Sequence, residues 1–347
     1  MPARSNRRTS MKVALVVLSV TISYLAAELI LAPLLHKWFD VFKVAYLVHE
    51  DIDHRMQKND PRRPTNSDGI RCLRESSDFP EHHYNIIFLG DSFIFGYKLP
   101  IPQSIPYKIE QNLRARFPSH NVNVANFGWV SSSPLLHYRL LRDIGHKYNP
   151  DMVVVSIDMA DFHDELVKER MFHSKKVYMQ FSRFPMAMSA THRFAPETYK
   201  SVLARWTGID IPRQPFFFSH RPLEETRHLA EPLMRNLGRI HNHVRDSEAK
   251  FAVFVLPRHY QYNRREAPLN WEKDKYDLEG KYNLEPFRFF EEQKAKVDYP
   301  IYSLLPAFQQ TEVFPTCFEN DPHWNDAGTT VAADAISQIL VALIADS

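Results

Sequence analysis

Apolar positions follow two different patterns along the chain. Val13 to Leu35 (VALVVLSVTISYLAAELILAPLL) is a continuous apolar stretch with one ionisable group, Glu28. At about 1.5 Å per residue it can cross a bilayer core of about 30 Å. From Asn85 onward, short β-branched runs alternate with segments of helical spacing. Asn85–Gly90 (NIIFLG), Val122–Asn126, Met152–Ile157 (MVVVSI) and Lys250–Leu256 (KFAVFVL) predict buried strands. Gln103–Phe117, Pro134–Tyr148, Leu223–Asp246 and Glu285–Lys296 predict helices, and Ala327–Ala345 sets positions 331, 332, 335, 336, 339, 340, 343 and 344 on one helical face. Strands alternating with helices predict βαβ crossovers, hence an α/β fold whose parallel sheet is covered on both faces.

Two regions break this alternation. Residues 51–82 are polar and rich in turn formers (Asp60-Pro61-Arg62-Arg63-Pro64), so 36–68 reads as a linker and 69–347 as the folded domain. Residues 165–222, with Pro185, Pro196, Pro212 and Pro215, read as an insertion, a candidate cap. Its aromatics, Phe216, Phe217, Phe218 and Trp206, either line a sugar site or pack together, and packing is the commoner use of such area.

Residues 1–12 form a short tail with Arg4, Arg7, Arg8 and Lys12 and no acid, whereas acids and bases mix after the apolar stretch. The positive-inside bias places the N-terminus in the cytoplasm, with 13–35 as a single-pass transmembrane helix in the inner membrane and the rest exported, periplasmic in a Gram-negative cell. A cleaved signal peptide is the alternative. Its apolar core spans about 7–15 residues, and here Leu29-Ile30-Leu31 continues beyond Ala26-Ala27. Glu28 would face a helical partner or be protonated.

A formal net charge of +2, from 43 Lys+Arg and 41 Asp+Glu, gives no polycationic surface, which argues against a nucleic-acid partner. Two cysteines exclude a disulfide scaffold, and the 17 His lie singly or in polar runs such as His82-His83, so neither a metal nor another cofactor is expected.

The candidate chemistry lies at Phe88-Leu89-Gly90-Asp91-Ser92-Phe93. Ser92 follows a predicted strand and should sit at the carboxyl end of the sheet, where open α/β folds bind ligands. A serine hydroxyl needs a base to become a nucleophile, and that base needs a group to orient it. Asp321-Pro322-His323-Trp324-Asn325 offers both on one predicted loop. Cys72 precedes the nucleophile strand and Cys317 the His323 loop, so they form either a bridge or two buried thiols.

In these residues the chain resembles the SGNH, or GDSL, hydrolase family. Ile86 to Phe93 with Gly96 resembles the nucleophile block, and Val124-Ala125-Asn126-Phe127-Gly128 the second block. Asn149 to Val155 resembles the strand before the third block. Asp321 to Asn325 resembles the last block, in the Asp-x-His-Trp-Asn form of membrane-anchored, polysaccharide-modifying members; Asn66 to Arg71 is similar to a segment ahead of the nucleophile strand. The resemblance implies a three-layer α/β/α, flavodoxin-like domain. Ser92 would be its nucleophile, His323 its base and Asp321 the orienting acid, with the backbone N–H groups of Ser92 and Gly128 forming an oxyanion hole. The implied activity is a serine esterase on O-acyl groups of a carbohydrate or cell-envelope substrate; an O-acyltransferase uses the same site. One departure stands out: the third block, usually Gly-x-Asn-Asp, reads Asp158-Met159-Ala160-Asp161. Ala160 offers no side-chain donor, a loss worth about 2.7–4 kcal/mol in enzymes built around one. A non-catalytic binding or envelope-assembly protein is therefore the other class of reading.

Overall fold

The computed structural model describes residues 3–27, 46–49, 53–56, 58–173, 208–209, 211–275 and 277–345. The chain divides into two units, Met1–Val44 with Arg170–Asp210, and Ala45–Glu169 with Ile211–Ser347. In the first, α1 (Ala3–Ala26) is one continuous helix, so the tail before the apolar stretch is helical rather than separate. Met11, Val13, Leu15, Val16, Val17, Leu18, Val20 and Ile22 are each more than half exposed. An apolar helix of Met11–Ala26 is shorter than a full span; the rest of the expected 13–35 segment, with Glu28, lies outside the described residues, as does Trp206.

The second unit begins with an antiparallel hairpin of β1 (Tyr46–His49) and β2 (Asp53–Met56). There follow β3 (Tyr84–Gly90), α2 (Ser92–Phe95), α3 (Ile105–Arg116), β4 (Val122–Gly128), α4 (Pro134–Ile144), β5 (Met152–Ile157) and α5 (Asp161–His173), whose residues from Arg170 on are counted with the first unit. After Ile211 come α6 (Leu223–Thr226), α7 (Glu231–Arg245), β6 (Lys250–Val255), α8 (Glu285–Lys294), β7 (Ile301–Ser303), α9 (Leu305–Gln310), β8 (Cys317–Phe318), β9 (Asp321–Trp324) and α10 (Asp326–Ala345).

Strands β4-β3-β5-β6-β7 form one sheet in that order, and every neighbouring pair is parallel. Successive side chains on a strand face opposite ways. Ile86, Phe88, Val124, Val154 and Phe254 accordingly join Ile109, Leu113, Ile336 and Leu340 of α3 and α10 in one core, while α4 and α7 pack together on the other side, against β3 and β6. α10 is long and apolar enough to pass as a membrane span, but its Ala332, Ala333, Ile336, Leu340 and Ile344 are buried in this core. The strand order places a crossover between β3 and β5, whose carboxyl ends flank the crevice where such sheets bind ligands.

Three expectations shift. The linker reading of 36–68 fails from Met56 onward, because Met56, Asp60, Thr65 and Asn66 are buried. Asn66 donates to Tyr148 Oη (2.8 Å) and accepts from the N–H groups of Asp68 and Ile70 (both 3.0 Å), a polar turn folded onto the domain. The insertion of 165–222 is narrower. Glu165 and Glu169 of α5 are buried against Asn236, and Phe216, Phe217 and Phe218 are core, with Phe218 stacked on Phe162 at 4.3 Å. Cys72 and Cys317 are buried free thiols, not a bridge; Cys317 Sγ lies 3.4 Å from Tyr262 Oη.

Candidate active site

β3 ends at Gly90, where a Cβ would fall inside van der Waals contact of Ser156 Oγ and Ile94. The chain can therefore turn sharply into α2 only without a side chain there. Asp91 caps that single turn, its Oδ1 accepting from Phe93 N–H at 2.9 Å. Gly96, in the left-handed region with φ 74°, closes it. Phe93, Ile94 and Phe95 are buried beneath the turn, which leaves Ser92 as its half-exposed residue.

The second half of the site stands on a short strand rather than a loop. β9 pairs antiparallel with β8, Cys317 opposite Trp324 and Phe318 opposite Asp321. Trp324 stacks on Phe308 (4.4 Å) and meets Phe93 edge-on (4.8 Å). Asn325 donates to the carbonyls of Pro315 and Cys317 and accepts from Gly328 N–H, fixing the start of α10. Trp324 and Asn325 are thus the frame on which His323 is held.

Ser92 Oγ–H donates to His323 Nε2 at 2.8 Å, and His323 Nδ1–H donates to Asp321 Oδ1 at 2.5 Å. The same Oδ1 accepts the His323 backbone N–H at 3.0 Å. Asp321 Oδ2 faces the Lys98 ammonium at 2.9 Å. Burial of Asp321 opposes its charge, but the hydrogen bonds from His323 and Lys98 outweigh burial and hold the carboxyl well below the usual range. The imidazole lies between the rings of Phe93 (4.9 Å) and Tyr97 (5.0 Å). The three predicted side chains therefore form one hydrogen-bonded chain from a half-exposed hydroxyl to a buried carboxylate.

Beside this chain lies a cluster of buried carboxyls. Ser92 Oγ is 3.4 Å from Asp91 Oδ2. Asp158, after β5, holds the Arg258 guanidinium in a fork (2.7 and 2.6 Å), and Arg258 also donates to Glu272 (2.7 Å). The guanidinium lies over the rings of Phe93 (5.0 Å) and Phe216 (5.2 Å). Burial and the charge of Asp158 push Asp91 up to about 8, against the pull of Arg258; burial and both neighbouring aspartates push Asp161 well up as well.

The remaining predicted residues are differently employed. Gly128 N–H donates to Asn126 Oδ1 at 2.9 Å, and a Cβ on Gly128 would strike the backbone of Ile94 and Phe95. Its glycine is thus required by the close passage of α2, and its N–H is already engaged. Ala160 N–H donates to Asp158 Oδ2 (3.0 Å), and Asp161 Oδ2 accepts from Asp158 N–H (2.8 Å), so the third-block residues bond among themselves. The sequence reading missed Lys98 and Arg258. For Arg258 a signal existed, a cation directly after a buried parallel strand; for Lys98 there was none. Among the described residues no group of side chains is arranged to hold a metal.

No family model matches the chain, and no curated protein matches it. Solved structures do. A member of the lipolytic protein G-D-S-L family from Veillonella parvula is 10% identical over 74% of this chain and 98% of its own, with a TM-score of 0.41. A GDSL-like lipase from Bacteroides thetaiotaomicron is 9% identical over 77% and 94%, TM-score 0.41. A variant of an acetyl-xylooligosaccharide esterase from Geobacillus is 12% identical over 75% and 95%, TM-score 0.39.

Proposed function

We propose that this protein is a serine hydrolase of the SGNH type that cleaves ester bonds through a covalent acyl-enzyme. The observation that carries the reading is the continuous relay from Ser92 through His323 to Asp321, at 2.8 and 2.5 Å. As Ser92 Oγ bonds to the ester carbonyl carbon, its proton passes to His323 Nε2; His323 returns it to the leaving alkoxide as the C–O bond breaks. Water then repeats the sequence to release the acid. A sugar hydroxyl in place of water would make the same site an O-acyltransferase.

The expected substrate is an O-acylated carbohydrate or other cell-envelope ester. That expectation rests on the Asp-x-His-Trp-Asn form of the last block, and on the exposed apolar side chains all round α1, which suit a membrane anchor and an exported domain. Ser92 N–H, at the first position of α2, is the expected oxyanion donor. A second, non-catalytic reading draws on the prior engagement of the Gly128 and Ala160 N–H groups.

The full-length protein in detergent, treated with a fluorophosphonate, separates the two. The hydrolase reading expects displacement of fluoride and a covalent phosphonate on Ser92, absent in Ser92→Ala and His323→Ala variants that remain folded. The double variant should lose no more than either alone, because the pair acts as a unit. An unlabelled wild type, or ester turnover by Ser92→Ala at the wild-type rate, sinks the proposal.

A further inference from the structure

Lys98 is a long cation at the surface, and a pair of that kind ordinarily contributes little. Three observations set it apart. Its backbone is in the left-handed region, φ 64°, which a residue with a side chain adopts rarely. Its ammonium, on a side chain 39% exposed, meets an Asp321 side chain that is 3% exposed, at 2.9 Å. Its turn is tied down at both ends, since Tyr97 N–H donates to Ser92 O (3.1 Å), Leu99 N–H to Gly96 O (3.0 Å), and the Arg71 guanidinium to Leu99 O. The cation is thus carried on the segment that closes the nucleophile's own helix and reaches across to the acid on β9.

The two oxygens of Asp321 have divided duties: Oδ1 takes both N–H groups of His323, and Oδ2 takes Lys98. We propose that Lys98 is a positioning residue that locks the Asp321 carboxylate toward His323 and, through its charge, sets the pH at which the Ser92–His323 pair becomes reactive. The proposal rests on the hydrolase reading above. A positive charge on the far oxygen draws the carboxylate's field away from the imidazole, so the protonated ring is favoured less than it would be beside Asp321 alone. The pair requires the neutral ring, so Lys98 extends reactivity toward lower pH.

The other groups facing the pair keep their charge across the acid limb, Asp91 because burial beside Asp158 pushes it up to about 8. Asp91 comes from the cap of α2 and Tyr97 from the turn after it; β8 presents the Phe318 ring, 5.8 Å from the ammonium; Arg258 stands behind Phe93. Removing the Lys98 charge should therefore raise the midpoint of the acid limb by about half to one pH unit, the range expected for a partly screened charge at this reach.

The test is the rate of fluorophosphonate labelling of Ser92 in the full-length protein between pH 5 and 9, for wild type, Lys98→Met, Lys98→Gln and Lys98→Arg. Lys98→Met and Lys98→Gln should both show the raised midpoint, and Lys98→Arg should restore the wild-type value. An unchanged midpoint in Lys98→Gln, a shift in Lys98→Arg as large as in Lys98→Met, or labelling lost at every pH in the neutral variants would overturn the role while leaving the nucleophile assignment intact. A wild type that does not label at Ser92 removes both.

Discussion

Replacing Asp321 by Asn tests the relay in a way particular to this site. In serine triads where the asparagine leaves the histidine in the wrong tautomer, turnover drops about 10⁴-fold. Here one oxygen, Oδ1, accepts both the His323 backbone N–H (3.0 Å) and the ring Nδ1–H (2.5 Å). An asparagine has two orientations. With its amide NH₂ toward His323, it opposes a buried backbone donor, which costs about 1–3 kcal/mol for the group left unpaired. With its carbonyl toward His323, the NH₂ faces Lys98, whose ammonium, on a side chain 39% exposed, can turn to water, so no buried donor is left unpaired. The second orientation wins, and it preserves the tautomer with Nε2 open to Ser92. What is lost is the negative charge, the difference between a charge-assisted and a neutral hydrogen bond, about 1–2 kcal/mol or roughly 5- to 30-fold in rate. Asp321→Ala removes both bonds and should lose roughly 10³-fold or more. Second-order labelling rates at Ser92, measured at a pH where wild type is maximal, give the comparison. An Asp321→Asn variant as impaired as Asp321→Ala would show that the tautomer flips and that the argument from the shared oxygen is wrong.

Two further predictions concern stability. Asp91 holds its proton to about 8 because it is buried beside Asp158, whereas in the unfolded chain it titrates near 3.8. The native state therefore binds more protons across that window and loses stability as pH rises through it, by up to about 1.4 kcal/mol per pH unit. Asp91→Asn keeps the cap to Phe93 N–H and should flatten the dependence, so parallel urea-midpoint profiles for the two proteins from pH 5 to 8 would refute the assignment. Gly128→Ala should cost about 3 kcal/mol or more, since the new methyl meets the backbone of α2 rather than a yielding side chain; a loss under about 1 kcal/mol by chemical denaturation would mean that α2 adjusts freely.

The strands were legible where burial made long apolar runs, as in Met152–Ile157, and Ser92 and His323 stood out because each sits in a short motif with its own local partners. Arg258 apart, what escaped had no local signature. β7, β8 and β9 are three, two and four residues long, too short for a period to register. Asn66 looked like linker because its burial depends on Tyr148, far along the chain. The motif located Gly128 and Ala160, but the direction of their N–H groups is decided by the side chains of Asn126 and Asp158. Lys98 was invisible for the same reason: its partner, Asp321, arrives from the other end of the domain.

Ser92 and His323 lie 231 positions apart, and this separation sets an order of events in the life of the chain. At about 5–20 residues per second, roughly 10–50 s pass between synthesis of Ser92 and synthesis of His323. Throughout that interval the serine is an ordinary hydroxyl. His323 closely precedes α10, which the Lys108 ammonium fastens to α3 by bonding Asp326, Thr329 and Thr330. On the proposed reading, assembly of the last helix acts as a timer: a chain still lacking its C-terminal segment has no base beside Ser92, and labelling of Ser92 would report that this segment is in place.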